Sequence, residues 1–196
     1  MEVQRKMKSN TFKEYIQPVV VLVAICLVMT FALAYVNSIT APIISENSAK
    51  AADAARTELL PAASSFEQYT GDLVVLEADK VYVTDCYVAD GAGMVVTVDT
   101  KSFGGILTEM VGIDADGAVT GVKVMAHSDT KGLGTKAHDP AYLSQNYTGK
   151  SELAFAANIK GDNAVSHISG ATISSNAVYQ GVCAALKQFE AVGGAN

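Results

Sequence analysis

An uncharged apolar run near the N-terminus constrains this chain more than any other feature of its sequence. Residues 16–36 read IQPVVVLVAICLVMTFALAYV and include no charged side chain. At about 1.5 Å of rise per residue, a helix of this length spans roughly 31 Å, which matches a bilayer core of about 30 Å. Tyr15 and Tyr35 bracket the run, as aromatic rings do at membrane interfaces. The run therefore predicts a transmembrane helix.

A cleaved signal peptide is the alternative interpretation of the same run. The small residues Ala32 and Ala34 resemble a cleavage site. However, the apolar core of a secretory signal is usually about 7–15 residues long, which is shorter than this run. The length therefore favours a retained helix.

Charges on either side of the run predict its orientation. Arg5, Lys6, Lys8 and Lys13 precede it, whereas the other flank has no charge before Glu46. The positive-inside rule then keeps the N-terminus in the cytoplasm and exports the rest of the chain. The exported part holds 10 of the 14 basic and 18 of the 20 acidic residues, a net charge of −8. This balance argues against nucleic acid as a partner.

Two of the three cysteines fall in the exported part. Cys26 lies in the apolar run, while Cys86 and Cys183 lie beyond it. Their separation along the chain does not decide whether they pair, and we expect two isolated, buried thiols. The sequence has no CxxC motif and no Cys/His cluster, so it does not predict a metal site.

The pattern beyond the apolar run predicts an α+β domain with a mainly antiparallel sheet flanked by helices. Runs of β-branched residues are separated by Gly or Asp-Gly turns, as in an antiparallel meander. The predicted strands are 73–78, 81–89, 94–100, 106–114, 119–126 and 153–159. The predicted helices are 43–60, 140–146 and a last one that ends near Ala191, with Ser174 or Ser175 as its N-cap.

These elements divide the chain into four predicted parts. They are a cytoplasmic N-terminus (1–15), the transmembrane helix (16–36), a helical connector with the first strand (37–80) and the main domain (81–196).

The stretch Ser169-Gly170-Ala171-Thr172 precedes the last predicted helix and is the most informative for chemistry. The start of a helix offers unpaired N–H groups and the positive end of a dipole, which suit a phosphate. Gly170 and Ala171 let a ligand approach the backbone, and Ser174 or Ser175 can add donors. On the residues alone, an anion site and a plain capped helix start both remain open.

SGAT followed by a hydroxyl-rich helix start resembles the flavinylation motif of the FMN-binding domain family. That family includes the G subunit of the Rnf electron transport complex and the C subunit of the sodium-pumping NADH:quinone oxidoreductase. Gly104-Gly105-Ile106 and the loop over 127–137 resemble its central block. The resemblance implies that FMN is joined to Thr172 by a phosphodiester bond, and that a flavin transferase makes this bond from FAD. The short chain is more similar in length to the Rnf protein.

The candidate flavin pocket extends beyond the motif. His127 is as well interpreted as an ordinary loop histidine, and we expect His138 and His167 to be surface or capping residues. The expected contacts to the flavin ring and ribityl chain are His127, Thr130, Gly132, Leu133 and Gly134, with Leu107 and Thr108 behind them.

Two positions depart from the family's usual pattern. Lys131 stands in the loop where the family usually has Pro, while Asp129 keeps the negative charge of its Glu. Ser166 stands three residues before the motif, where the family commonly has Asp, and Asp162 is a candidate substitute for that carboxylate.

The resemblance implies an electron-transfer subunit of a membrane-bound, ion-translocating ferredoxin:NAD oxidoreductase. Its expected partners are integral membrane subunits and iron–sulfur or flavin subunits of the complex. The sequence has no Ser-His-Asp order, paired carboxylates or P-loop, so we expect no independent catalytic site. The alternatives are a free-standing membrane-tethered flavin carrier or reductase module, a component similar to the C subunit of the sodium-pumping enzyme, and a structural protein without flavin.

Overall fold

The computed structural model describes residues 15–193 of the chain. These residues form two compact units, one ending at Lys50 and the other beginning at Ala51. The basic residues that predict the orientation of the apolar run fall within 1–14, outside the described residues.

Helix α1 comprises Gln17–Leu59. Among residues 15–193 it is the one helix long and apolar enough to cross a membrane, and its apolar N-terminal side chains are exposed. The helix predicted over 43–60 is present up to Leu59, but its predicted start at residue 43 was wrong, because α1 continues through Pro42. A proline removes a single backbone donor from the helix. Around it, the Ser38 and Thr40 hydroxyls donate to carbonyls one turn earlier in the same helix.

Six antiparallel strands form one sheet in the second unit. They are β1 (Glu67–Gln68), β2 (Val75–Glu77), β3 (Val81–Ala89), β4 (Gly93–Ser102), β5 (Gly105–Asp114) and β6 (Val119–Ala126). The order is β1-β3-β4-β5-β6, and β2 also pairs with β3. Consecutive strands from β3 to β6 are neighbours, so the predicted meander is confirmed.

Two helices cover one face of the sheet: α2 (Pro140–Tyr147) and α3 (Thr172–Val192). The main core lies between the sheet and these helices, where alternate residues of β3–β5, such as Val96 and Val111, pack against Val178 and Val182 of α3. Burying a side chain of this size contributes about 1.5–3 kcal/mol. Leu59 and Leu60 pack with residues of the opposite face of the sheet. This arrangement confirms the α+β prediction.

The segment predicted as a strand over 153–159 pairs with no strand of the described residues, so this prediction was wrong. The Ala154 N–H donates to Asp162 Oδ2 at 2.7 Å, and the Ala156 N–H donates to the Tyr179 hydroxyl at 3.1 Å. Gln180 donates to the Ala156 carbonyl. Side chains therefore satisfy the backbone groups that a neighbouring strand would otherwise have to satisfy.

Helix α3 begins earlier than the serines that the sequence suggested. Thr172 is its first residue, and Ala171 is the N-cap without a side-chain hydrogen bond, so the prediction of a serine cap was wrong. The hydroxyl of Ser175 instead accepts from the Ile168 N–H at 3.1 Å. Gly193 ends the helix in the left-handed conformation at φ 84°, which glycine adopts most easily.

All three cysteines are free thiols, and Cys86 and Cys183 are buried. This confirms the expectation of isolated thiols. Burial raises the pKa of Cys86 to about 11 and that of Cys183 to about 12. Both thiols are therefore protonated and unreactive in the folded domain.

Candidate functional site

A cleft of about 320 Å³ opens at the start of α3. Three separate segments of the chain form its walls: the turn between β4 and β5, the loop after β6, and the first turn of α3 with the residues before it. The lining residues are Phe103, Thr130, Leu133, Gly134, Gly170, Ala171, Thr172, Ile173 and Ser174.

The first turn of α3 provides hydrogen-bond donors at the cleft. The backbone N–H groups of Thr172, Ile173 and Ser174 have no acceptor among residues 15–193. Gly170 has φ 83°, a conformation that is costly for residues with a Cβ. Thr172 is half-buried and lines the cleft, and its hydroxyl has no partner within the described part of the chain. Free N–H groups at the positive end of a 21-residue helix are well suited to hold a phosphate, and Thr172 is the first residue of that helix.

Apolar side chains line the rest of the cleft. Phe103, Leu133 and Ile173 are 70%, 45% and 56% exposed, although each is large and apolar. Such walls suit a flat aromatic ring. Phe103 and Ile173 were not among the site residues predicted from the sequence. An aromatic residue in a turn, next to Gly104, was the signal that could have indicated Phe103.

Asp129 lies behind the cleft and is only 6% exposed. Its Oδ2 accepts from the Ser102 hydroxyl at 2.6 Å, and its Oδ1 accepts from the Gly104 N–H at 2.7 Å. Burial acts to raise the pKa of Asp129, but hydrogen bonds from Ser102, Gly104 and Ser174, together with His138, hold this pKa below its ordinary value. The side chain is therefore a carboxylate at neutral pH.

The expectation that His138 is a surface or capping residue was wrong. Its side chain is 6% exposed, and its Nε2 lies 3.2 Å from Asp129 Oδ2. The His127 ring packs against it, with 4.4 Å between centroids. Burial and then the nearby His127 lower the pKa of His138, while Asp129 opposes this shift. His167 is exposed, as expected.

The structure brings seven of the predicted site residues together around the cleft. They are Thr130, Leu133, Gly134, Gly170, Ala171, Thr172 and Ser174. Ser169 and Gly132 are exposed and adjoin lining residues in the chain. Ser175 is buried and bonds to the backbone, and His127 packs on His138 rather than lining the cleft.

The predicted position of Leu107 and Thr108 behind the pocket stays a prediction. Leu107 is completely buried in the main core, and the Thr108 hydroxyl donates to Asp99 Oδ1 at 2.6 Å. Neither is among the residues that line the cleft. No group of three or more His, Cys, Asp or Glu side chains that could hold a metal ion occurs within residues 15–193.

The region around Ser166 is fixed by hydrogen bonds. The backbone N–H and the hydroxyl of Ser166 both donate to Asn146 Oδ1, at 2.8 and 2.9 Å. Asp162 is 5% exposed and accepts from the backbone N–H groups of Ala154 and Ala164 and from Tyr179. Asp162 therefore holds the 154–164 segment together instead of facing solvent.

A phosphate site at a helix start, beside apolar walls for an aromatic ring, defines a nucleotide-cofactor domain. The family described as the FMN-binding domain matches residues 103–187, which include all three segments of the cleft. The donors at Thr172 and the apolar walls fit the phosphate and ring of FMN. When bound, FMN accepts and releases electrons.

Several relatives resemble the chain over most of its length. The G subunit of the Na(+)-translocating ferredoxin:NAD(+) oxidoreductase complex of Acetobacterium woodii is 30% identical, over 97% of this chain and 98% of the relative. The G subunit of the ion-translocating oxidoreductase complex of Methanosarcina acetivorans is 32% identical, over 91% and 96%. The G subunit of the proton-translocating ferredoxin:NAD(+) oxidoreductase complex of Clostridium ljungdahlii is 26% identical, over 83% and 85%.

The chain therefore belongs to the FMN-binding domain family, in the group of Rnf-type G subunits. Membership of this group and the apolar helix α1 together indicate a membrane protein.

Proposed function

We propose that this chain is an electron-transfer subunit of a membrane-bound, ion-translocating ferredoxin:NAD oxidoreductase complex and holds FMN covalently on Thr172. One observation carries the proposal of the attachment point. The Thr172 hydroxyl lines the cleft without a partner among the described residues, beside the free N–H groups of the first turn of α3. A phosphate held by those N–H groups lies next to the hydroxyl that is to be esterified.

The linkage requires a flavin transferase that uses FAD as the donor. In this step the bond from Thr172 Oγ1 to the FMN phosphorus forms, and the pyrophosphate bond of FAD breaks. AMP leaves, and the hydroxyl proton is released. A covalent tether keeps the effective concentration of the flavin at the cleft at about millimolar or more, without a free pool.

The remaining cleft residues are proposed to orient the flavin. The apolar contacts to the ring come from Phe103, Leu133 and Ile173. The contacts to its polar edge or to the ribityl chain come from Thr130 and Ser174. His127, Ser169 and Gly132 do not line the cleft, and their predicted contacts with the flavin stay predictions.

The proposed location is the cell membrane. A single span over residues 16–36 holds the N-terminus in the cytoplasm and the main domain outside it, following the positive charges before the span. The proposed partners are the integral membrane subunits and the iron–sulfur or flavin subunits of the complex. Relatives named for sodium and for proton translocation both match, so the family does not assign the coupling ion.

In-gel fluorescence under denaturing conditions tests the attachment. The full chain is expressed with a flavin transferase, and the wild type is compared with Thr172→Ala. Thr130→Ala is the matched control, because it removes the other threonine hydroxyl of the same cleft. We expect a fluorescent band for the wild type and Thr130→Ala and none for Thr172→Ala. A band that persists in Thr172→Ala would place the attachment on another residue.

A dark wild-type band would instead count against covalent flavin altogether. Membership of a complex is tested separately, by purification of the tagged full chain from its native membrane. Purification without integral membrane or iron–sulfur subunits would favour a free-standing flavin carrier.

A further inference from the structure

The Asp129 carboxylate lies where the three segments of the cleft come together. Its carboxylate accepts from Ser102 and Gly104, which flank Phe103 in the turn between β4 and β5. Asp129 itself belongs to the loop after β6 that carries Leu133 into the cleft. The first turn of α3 lies close by, because a Cβ on Gly134 would come within 3 Å of both Asp129 Cβ and the Ser174 hydroxyl.

The backbone packs closely around this carboxylate. A Cβ on Gly134 would lie 2.8 Å from Asp129 Cβ and 2.9 Å from the Ser174 hydroxyl, so the loop and the helix start meet at this point. A Cβ on Gly104 would overlap with the backbone of Ser128, so the turn and the loop are equally close. His138 closes the remaining side of the carboxylate.

We propose that Asp129 is a positioning residue for the flavin: it fixes the distance between the Phe103 wall and the start of α3 and places a negative charge behind the cleft. This inference rests on the proposed function, because it needs a flavin in the cleft. The carboxylate acts through the turn and the helix start, and it lines no part of the cleft itself.

Two consequences follow for a bound flavin. A fixed cleft width holds the ring in one orientation, which gives the flavin a visible circular dichroism signal. A buried negative charge near the ring disfavours the reduced flavin, which carries added negative charge, so it lowers the midpoint potential.

The test compares Asp129→Asn with Asp162→Asn in the flavinylated full chain. Asp162 is a matched control, because it is about as buried as Asp129 and also accepts hydrogen bonds from backbone N–H groups and a hydroxyl, but it does not line the cleft. Visible circular dichroism and midpoint potential are measured per bound flavin. We expect Asp129→Asn to lose most of the dichroism and to raise the potential, and Asp162→Asn to change neither.

Ser102→Ala provides a second route if Asp129→Asn does not fold. It removes one bond of the turn and keeps the charge, so we expect reduced dichroism with a smaller shift in potential. In the double variant the loss of dichroism should not exceed that of Asp129→Asn, because both changes break the same contact.

The test requires that the wild type is loaded with flavin. Under that condition, unchanged dichroism in Ser102→Ala, or equal effects of Asp129→Asn and Asp162→Asn, would overturn the inference. A wild type without flavin would instead be a failure of the proposed function.

Discussion

Replacement of Glu109 by glutamine should stabilise the domain at neutral pH. Glu109 is completely buried between β5 and α3, and neither carboxyl oxygen has a hydrogen-bond partner among the described residues. A Cβ on Gly181 of α3 would overlap with Glu109 Oε1, so the carboxyl lies directly against the helix. Burial raises the pKa of Glu109 well above its ordinary value. The folded domain therefore keeps this side chain protonated.

The sign of the effect follows from proton binding in the two states. Above about pH 4.3 the unfolded chain releases the Glu109 proton, whereas the folded domain retains it. Stability from this group therefore falls as pH rises, by up to about 1.4 kcal/mol per pH unit, until the pKa of the folded state is reached. A folded-state pKa above 7 corresponds to a loss of roughly 2–3 kcal/mol between about pH 5 and pH 7. The amide of the Glu109→Gln variant would have nearly the same shape as the protonated carboxyl and would not titrate.

The assay is thermal or denaturant unfolding of the full chain in detergent at about pH 5 and pH 7. We expect the advantage of Glu109→Gln over the wild type to grow between these values, by roughly 5–10 °C in Tm for a domain of this size. Glu67→Gln is the control, because Glu67 is exposed on β1. An equal difference between Glu109→Gln and the wild type at both pH values would refute the reasoning, since it would mean that Glu109 does not retain its proton on folding.

Two further substitutions test the packing behind the cleft. Burial lowers the pKa of His138, so below about pH 6.5 the unfolded chain binds a proton that the folded domain does not, and the free energy of unfolding falls with decreasing pH. The His138→Gln variant should lack this loss when its unfolding is measured between about pH 7 and pH 5. A loss equal to that of the wild type would contradict the prediction. Gly134→Ala should destabilise the domain by about 1–3 kcal/mol in denaturant unfolding through overpacking, and it should lower the flavin fluorescence. Gly132→Ala has open space around the new Cβ, so it should cost about 1–2 kcal/mol through its φ of 76° and keep the fluorescence. Equal fluorescence in both variants would count against the close contact at Gly134.

Sequence patterns correctly predicted the strands and turns that neighbouring residues in the chain determine. The strands from β3 to β6 follow from alternating β-branched residues and the Gly or Asp-Gly turns between them, and neighbours in sequence became neighbours in the sheet. A helix after the SGAT loop was also predicted from local signals, although its N-cap was placed at Ser174 or Ser175 and the structure has it at Ala171.

Errors arose where residues distant in sequence satisfy the backbone. Residues 153–159 read as a strand, but Asp162 and Tyr179 bond to their N–H groups and remove the need for a partner strand. The same limit applies to the cleft. The 127–137 loop could be placed near the flavin only through the resemblance, and the role of Asp129 depends on Ser102, 27 residues earlier.

Glu109 shows where a stricter use of the same patterns would have gone further. In β5 the residues Leu107, Glu109 and Val111 alternate toward one face, and the outer two are apolar, so period-2 alternation predicts that the glutamate points into the core. The sequence alone thus places an ionisable side chain at a buried position. Either a partner must stabilise its charge, or the carboxyl must keep its proton. The structure removes the first possibility, because no hydrogen-bond partner reaches either oxygen within the described residues. A retained proton follows, and the carboxyl then lies in the core beside α3, the helix whose first residue is Thr172.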